Sequence, residues 1–144
     1  KNKNFLIKKN SFSVPMGCAG SRNKDRTVNV LLLGLKESGK TTFVNTIETV
    51  RDDGTYFPTM FQRITEIKRE QGKIKFHDVG GDQKNWYDLY DEADGILFFV
   101  DMADEAKMDE VERALASVVE NDANKKTPIF VILNKKDLPG VDGQ

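Results

Sequence analysis

The sequence predicts an α/β domain whose sheet is doubly wound and mostly parallel, with one antiparallel hairpin strand. Short apolar runs with the length of buried strands alternate with longer stretches that have helical periodicity. Two of the runs are separated only by a Gln-Gly turn at residues 71–72, as in a β-hairpin. The first run leads directly into a glycine-rich loop and a helix, a unit from which parallel sheets are built.

Residues 1–26 are predicted to form a disordered basic leader, because they are rich in Lys, Asn and Ser and lack apolar periodicity. Residues 1–29 hold seven basic side chains and one acid, whereas the whole chain of 144 residues has a formal charge of −1. A basic end favours an anionic surface such as a membrane. The near-neutral total gives no sign of a protein that binds nucleic acid across its whole surface.

The leader contains the segment MGCAGS at residues 16–21, which fits the acceptor pattern for N-myristoylation. The pattern predicts acylation of Gly17 after removal of Met16, with Cys18 as a neighbouring palmitoylation site. Gly17 must then be N-terminal, so we expect translation to start at Met16 and residues 1–15 to be upstream sequence. The alternative is that MGCAGS is a loop of small residues in a tail.

Cysteine usage and hydropathy limit where the chain resides. Cys18 is the only cysteine, which excludes an intramolecular disulfide, and no run of 18 apolar residues exists to span a bilayer. These observations predict a cytoplasmic protein, or one that is peripheral on the cytosolic face of a membrane.

Residues 27–144 are predicted to form the folded domain, which opens with a buried strand over Thr27–Leu33. A helix over residues 40–50 follows, with Phe43, Val44 and Ile47 on one face. The later elements are, in order, a loop over 51–58 that ends at Thr59, strands over 61–70 and 73–77, a polar and aromatic segment over 82–94, a strand over 95–100, an amphipathic helix over 105–122 and a strand over 128–133.

The loop between the first strand and helix has the pattern G-x-x-x-x-G-K-T of a phosphate-binding loop. Gly34 and Gly39 allow the backbone to curl so that its N–H groups point at a polyphosphate. Lys40 adds positive charge for the outer phosphates, and Thr41 offers a hydroxyl to Mg²⁺. The predicted nucleotide-binding residues here are Gly34, Leu35, Lys36, Glu37, Ser38, Gly39, Lys40, Thr41 and Thr42. A Gly/Ser-rich turn that merely joins strand to helix is the alternative.

The second predicted hairpin strand leads into Asp78-Val79-Gly80-Gly81. An Asp at the end of an apolar strand is where a protein with a phosphate-binding loop holds Mg²⁺, and a following Gly can donate its N–H to the terminal phosphate. His77, the only histidine, is expected to pack at a strand end or face solvent, because no Cys/His cluster accompanies it.

Together the phosphate-binding loop, Pro58-Thr59, the DVGG segment at 78–81 and the NKKD segment at 134–137 resemble a small GTPase. The DVGG form and Pro58-Thr59 are similar to the Arf/Arl/Sar branch, while GLKESGKTT and LNKKDL also resemble Gα subunits. The space between Thr42 and Thr59 is too small for the helical domain of Gα, so an Arf-like protein is the better match. The resemblance implies the P-loop GTPase fold, with residues 27–144 as a GTP-binding domain.

This resemblance implies a cycle in which GTP and Mg²⁺ order two loops, and hydrolysis to GDP releases them. By resemblance, Asp137 reads guanine, Asn134 ties its loop to the phosphate-binding loop, and the stem of Lys135 covers the ring. The expected Mg²⁺ ligands are Thr41, Thr59 and Asp78, and Gly81 joins the nucleotide-binding residues. The expected partners are an exchange factor, a GTPase-activating protein and effectors.

Four departures from the family pattern are visible. Asp82 stands where the family places the Gln that orients water, with Gln83 one residue late, and the segment from Gly81 to Trp86 is about three residues short. Gln62 and His77 replace effector-binding aromatics, whereas Trp86 and Tyr90 persist. The chain also stops seven residues after Asp137, so the last base-contacting loop, strand and helix of the fold are expected to be lacking.

We therefore predict an Arf-like GTP-binding switch at a membrane, with slow GTP hydrolysis. The predicted catalytic residues are Lys40, Gly81, Asp82 and Gln83. One alternative is a pseudo-GTPase that serves as a membrane-tethered scaffold. Another is an ATPase or kinase, which the NKKD segment disfavours. Trp86, Tyr87 and Tyr90 either seat the second loop on the core or contribute to a partner-binding surface.

Overall fold

The computed structural model describes residues 26–47, 62–69, 72–122 and 127–138. Its described strands form one five-stranded sheet. In chain order they are β1 (Thr27–Leu33), β2 (Gln62–Arg69), β3 (Gly72–Val79), β4 (Gly95–Asp101) and β5 (Ile129–Asn134). The spatial order is β2-β3-β1-β4-β5. All neighbouring pairs are parallel except β2 and β3, so the predicted mostly parallel sheet with one antiparallel strand is confirmed.

Two described α-helices accompany the sheet, α1 (Lys40–Ile47) and α2 (Met108–Asp122). The described part of the chain also has three short 3₁₀ turns, at Gln83–Asn85, Tyr87–Glu92 and Glu105–Lys107. The last of these corrects the predicted helix over 105–122, whose first turn is 3₁₀. Residues 48–50 of the first predicted helix lie outside the described residues, and no described helix has both the length and the apolar character needed to cross a membrane.

The core lies on both faces of the sheet. On one face α2 and the 3₁₀ turns pack on strands through a cluster that includes Leu31, Leu33, Trp86, Phe98 and Val118. On the other face α1 packs through Val44 onto Leu32, Ile67, Phe76 and Phe99. Adjacent β1 residues therefore enter opposite clusters, because successive side chains of a strand point to opposite faces. The continuous apolar run of β1 is explained by this two-sided burial.

β3 continues two residues beyond the predicted end at His77. Val79 pairs with Gln62 and Asp78 pairs with Arg63, so the antiparallel ladder carries Asp78 into the strand itself. Asp78 is consequently fully buried.

β5 lies at one edge of the described sheet and remains largely uncovered. Phe130, Val131 and Leu133 are all about half exposed. Parallel pairing brings the carboxyl ends of β1, β3, β4 and β5 to the same edge of the sheet. In open α/β sheets ligands bind at this edge, so the segments that follow these strands are the candidates for a site.

Candidate nucleotide-binding site

The segment after β1 curls tightly around the ammonium of Lys40. Nζ of Lys40 donates to the carbonyl oxygens of Gly34 at 2.8 Å and Leu35 at 2.9 Å, and to Oγ of Ser38 at 3.3 Å. Positive φ angles at Gly34 (138°), Glu37 (65°) and Gly39 (95°) produce the curl. The first and last are glycines because such angles strain other residues. The loop is therefore wound around a cation at its centre, the form that cradles a polyphosphate.

Burial lowers the pKa of Lys40 to about 8, and the nearby Asp78 carboxylate opposes this shift. The side chain is only 6% exposed, so its charged form has lost most of its hydration. Its contacts in the loop are neutral oxygens, which stabilise an ammonium less than an anion does. A phosphate beside Lys40 would supply the missing negative charge.

Thr41, the first residue after Lys40, contacts Asp78, which lies on β3. Oγ1 of Thr41 donates to Oδ2 of Asp78 at 2.6 Å. Parallel pairing of β1 with β3, in which Leu32 is opposite Asp78, brings the two residues together. A hydroxyl and a carboxylate in contact are oxygen ligands of the kind that Mg²⁺ accepts, with waters and phosphates completing its shell. The two residues therefore fit the predicted ion, and the third predicted ligand, Thr59, lies outside the described residues.

No described group of three or more His, Cys, Asp or Glu side chains could hold a metal by itself.

The glycine pair after β3 lies directly against the phosphate-binding loop. A Cβ on Gly81 would meet the backbone N of Lys36 at well under 3.0 Å, so only glycine allows this approach. Nε1 of Trp86 donates to the carbonyl oxygen of Gly80 at 3.0 Å, and the Trp86 ring is 2% exposed. Trp86 thus anchors the segment that touches the loop to the core.

The two candidates for orienting water are adjacent at the start of the first 3₁₀ turn. Asp82 is exposed, and its Oδ1 accepts the backbone N–H of Lys84 at 3.2 Å as an N-cap. Gln83 begins the turn and is partly buried. The structure therefore gives Asp82 a local partner along its own chain.

The NKKD segment is connected to the phosphate-binding loop through Asn134. Nδ2 of Asn134 donates to the carbonyl oxygen of Ser38 at 2.9 Å, the contact that the family resemblance implies. A Cβ on Gly39 would collide with the same Nδ2, so glycine is needed at that position as well. Lys135 adopts a left-handed φ of 59°, and Asp137 is exposed in the turn closed by Leu138 N–H and Lys135 O at 3.2 Å.

Asp101, the last residue of β4, is a site residue that the motif analysis did not identify. Its Oδ2 accepts from Nζ of Lys135 at 2.7 Å, and its Oδ1 accepts from the N–H of Ala103 at 3.0 Å. A carboxylate at the carboxyl end of an apolar strand was the signal available in the sequence. The sequence did not show that Lys135 is the partner of Asp101, because that contact depends on the pairing of β5 with β4.

The other predicted residues are distributed around this centre. Lys36, Glu37 and Thr42 are exposed, and Leu35 is buried beneath the loop. Gly17 and Cys18 lie outside the described residues.

His77 packs two residues before the end of β3, the first of its two expected placements, and does not face solvent. The ring is 6% exposed, with Nδ1 2.7 Å from Nε2 of Gln62 and Nε2 3.3 Å from Oδ1 of Asn29. Burial lowers its pKa. His77 therefore bridges β2, β3 and β1, and Gln62 supplies its polar partner. Trp86 and Tyr90 are also buried, which assigns both to the core, while Tyr87 remains 44% exposed.

Comparison with known proteins gives consistent relatives. The model of the ADP-ribosylation factor family matches residues 17–142. ADP-ribosylation factor-like protein 3 of Saccharomyces cerevisiae is 33% identical over 137 residues, which cover 88% of this chain and 68% of that protein. ADP-ribosylation factor-like protein 3 of Chlamydomonas reinhardtii is 30% identical over 125 residues, which cover 84% of this chain and 70% of that protein.

A solved structure also matches the described fold. It is that of the Arl6 (BBS3) small GTPase from Trypanosoma brucei with the bound nucleotide analogue GppNp. The match has a TM-score of 0.68 at 23% identity and covers 80% of this chain and 71% of that one. At this identity the likeness concerns the fold.

Proposed function

The chain belongs to the ADP-ribosylation factor family of small GTPases, and from that premise we propose that it is a Mg²⁺-dependent switch that binds GTP and GDP and acts at a membrane. The family resemblance of its motifs is thereby confirmed. What we propose beyond the family is that the chain binds guanine nucleotide with Mg²⁺, hydrolyses GTP slowly and is attached to a membrane.

One observation carries the nucleotide proposal. The phosphate-binding loop and the NKKD segment are joined by the 2.9 Å hydrogen bond between Asn134 and the carbonyl oxygen of Ser38. A ligand that spans both must carry phosphates at one end and a group readable by Asp137 at the other. A carboxylate can accept both N–H groups on one edge of guanine, which adenine does not offer. A guanine nucleotide meets both requirements.

The contact between Thr41 and Asp78 supports a role for Mg²⁺. When bound, the ion would neutralise phosphate charge between Thr41, Asp78 and the outer phosphates. Lys40 would donate to the same phosphates after leaving its contacts with the loop carbonyls. Gly81 lies against the loop and would donate its N–H to a terminal phosphate.

Nucleotide content tests the proposal directly. We expect protein purified in Mg²⁺ buffer to release guanine nucleotide on denaturation, as measured by chromatography. Lys40→Ala protein, prepared in the same way, should release none. Adenine nucleotide in the wild-type protein would contradict the guanine assignment, and an empty wild-type protein that also fails to bind added GDP would favour the scaffold.

Asp82 favours slow hydrolysis and keeps the pseudo-GTPase scaffold as a second candidate. A carboxylate can accept a hydrogen bond from water, but when ionised it donates none and adds negative charge near the phosphoryl group. We propose that hydrolysis is slow unless a GTPase-activating protein supplies an Arg, a contribution of about 10³ to 10⁵ in rate in known systems.

Membrane attachment is proposed through acylation of Gly17 and Cys18. The family match begins at residue 17, in agreement with a functional start at Met16. Two acyl chains give stable anchoring, whereas one gives only marginal binding. The proposed protein partners are an exchange factor, a GTPase-activating protein and effectors that recognise the GTP-bound form.

A further inference from the structure

We propose that Asp101 is a positioning residue of the nucleotide site, which holds the ammonium of Lys135 so that the lysine stem lies along the guanine ring. This inference rests on the proposed function, since it concerns the same ligand. It adds a residue from β4 to a base site otherwise built from the segment after β5.

The carboxylate of Asp101 is itself held in one orientation. One oxygen accepts from the N–H of Ala103 at 3.0 Å, and the other accepts from Nζ of Lys135 at 2.7 Å. Asp101 also pairs with Asn134 across the two strands, and the N–H of Met102 donates to the carbonyl oxygen of Asn134 at 3.0 Å. The backbone at Asp101 and Met102 is therefore paired with the strand end that leads into Lys135.

Lys135 begins from an unusual backbone conformation. Its φ of 59° lies in the left-handed region, which is unfavourable for a side chain without local support. Its side chain is 30% exposed and that of Asp101 is 17% exposed, so the pair is partly shielded from water. An ion pair in such a place contributes more than one in open solvent. Asp101 therefore holds the ammonium directly, while the residue after it, Met102, binds the carbonyl oxygen of Asn134, the residue before Lys135.

The physical reason for this arrangement lies in the two parts of a lysine side chain. Its methylene stem packs favourably on a flat ring, but its ammonium draws the stem toward water. A carboxylate at the strand end provides the charge partner inside the site, so the stem can remain against the base. Without the carboxylate, ordering Lys135 on the base would cost conformational entropy at each binding event.

A neighbouring pair provides a matched control. Lys107 and Asp104 also form an ion pair, at 2.6 Å, in the segment between β4 and α2. Hydrogen bonding and charge from Asp104 raise the pKa of Lys107. The charge of Asp101 also contributes to the raised pKa of Lys107. Asp104→Asn therefore alters the charge near Asp101 while leaving the hydrogen bond between Asp101 and Lys135 in place.

The experiment is a double-mutant cycle read by calorimetry on the full chain with Mg²⁺. The variants are Asp101→Asn, Lys135→Met, their combination and Asp104→Asn. Asn can still accept from the Ala103 N–H, and Met keeps an apolar stem without charge. Each protein is titrated with GDP and, as a ligand without a base, with inorganic pyrophosphate.

We expect Asp101→Asn to weaken GDP binding about tenfold, close to the lower limit for losing a hydrogen bond to a charged group, because the pair is partly exposed. In the Lys135→Met background the same change should weaken GDP binding by less than about twofold, because the partner of Asp101 is already gone. Pyrophosphate affinity should stay within about twofold in all variants, and Asp104→Asn should bind GDP as wild type does.

Three results would overturn the proposal while leaving the proposed function intact. These are an unchanged GDP affinity in Asp101→Asn, an equal loss in both backgrounds, or an equal loss for GDP and pyrophosphate. Equal losses would mean that Asp101 supports the fold in general rather than Lys135. If the wild-type protein bound no GDP, the proposed function would fail, and this inference with it.

Discussion

Lys40 illustrates at the scale of one residue how the fold positions a positive charge that can bind an anionic ligand. Three oxygens of its own loop surround the ammonium, and among the described residues Asp78 is the acid that raises its pKa. The residue type was predictable from the motif. Its burial was not, because burial depends on the strand and loop that close over it.

The lowered pKa of Lys40 predicts two opposite effects of pH. Affinity for GDP should fall as pH rises through about 8, since the free protein loses the ammonium that binds phosphate. The free energy of unfolding of the nucleotide-free protein should instead gain a rising contribution between about 8 and 10.5, because the unfolded chain then holds a proton that the folded chain has released. Calorimetry and chemical denaturation measure the two trends.

The exposed Lys84→Gln variant is the control for this prediction, and it should retain both wild-type profiles. The Lys40→Gln variant should lose the rising contribution to stability. A GDP affinity that stays constant from pH 7 to 9.5 in the wild-type protein would contradict the assignment.

Asp82 supports a prediction about hydrolysis at the same scale. A Gln at this position offers a donor and an acceptor and adds no charge beside the γ-phosphate. We therefore expect Asp82→Gln to hydrolyse GTP faster than wild type in single-turnover assays, even though Asp82 caps the turn after it. Gln83→Ala should be nearly unchanged. A large loss of rate in Gln83→Ala would instead identify Gln83 as the water-orienting residue.

At the scale of elements, periodicity located the strands and helices closely. The predicted strand over Thr27–Leu33 was confirmed at both ends. The predicted amphipathic helix over 105–122 differs from the structure only in its first turn, which is a 3₁₀ turn that precedes α2. The predicted end of β3, at His77, was wrong, because the strand continues for two more residues to Val79. Its continuation depends on hydrogen bonds to β2 rather than on its own apolar pattern.

The contact between the phosphate-binding loop and the NKKD segment predicts the effect of Gly39→Ala. The added Cβ would displace the amide of Asn134 from the carbonyl oxygen of Ser38, and the φ of 95° is itself strained for Ala. We expect GDP binding to weaken at least about fivefold, since holding the loop at such an angle would cost about 1–3 kcal/mol. Titration calorimetry gives the affinity.

Gly95→Ala is the matched substitution. A Cβ there has its nearest neighbour, Pro128, at 3.9 Å, an ordinary contact. Its GDP affinity should equal that of wild type. If both alanine variants bound GDP equally well, the proposed dependence of nucleotide binding on the Asn134 bridge would be wrong.

At the scale of the whole molecule, the charge is divided between a basic leader and a more acidic domain. We predict that the protein expressed from Met16 partitions to membranes and that Gly17→Ala releases it, while Cys18→Ser leaves a weaker, reversible association. Arg22, Lys24 and Arg26 should add about 1 kcal/mol each near an anionic leaflet. Vesicle flotation of the expressed protein measures the partition.

Intact-mass analysis of the natively expressed protein checks the premise. A mass that includes acyl chains on an N-terminal Gly17 agrees with the prediction. An unmodified N-terminus at Lys1 or further upstream would contradict it.

The sequence by itself determined the family, the order of the elements and the motif residues, because these depend on patterns that are contiguous along the chain. The phosphate-binding loop lies within nine residues. Its glycines, lysine and threonine can be recognised from their spacing between a strand and a helix, without knowledge of the rest of the fold. Only the tertiary structure decided which distant groups meet. Asp101 lies 34 residues from Lys135, and Asn134 lies 96 residues from Ser38. Those contacts follow from strand order and register, which bring the carboxyl ends of separate strands to one edge of the sheet.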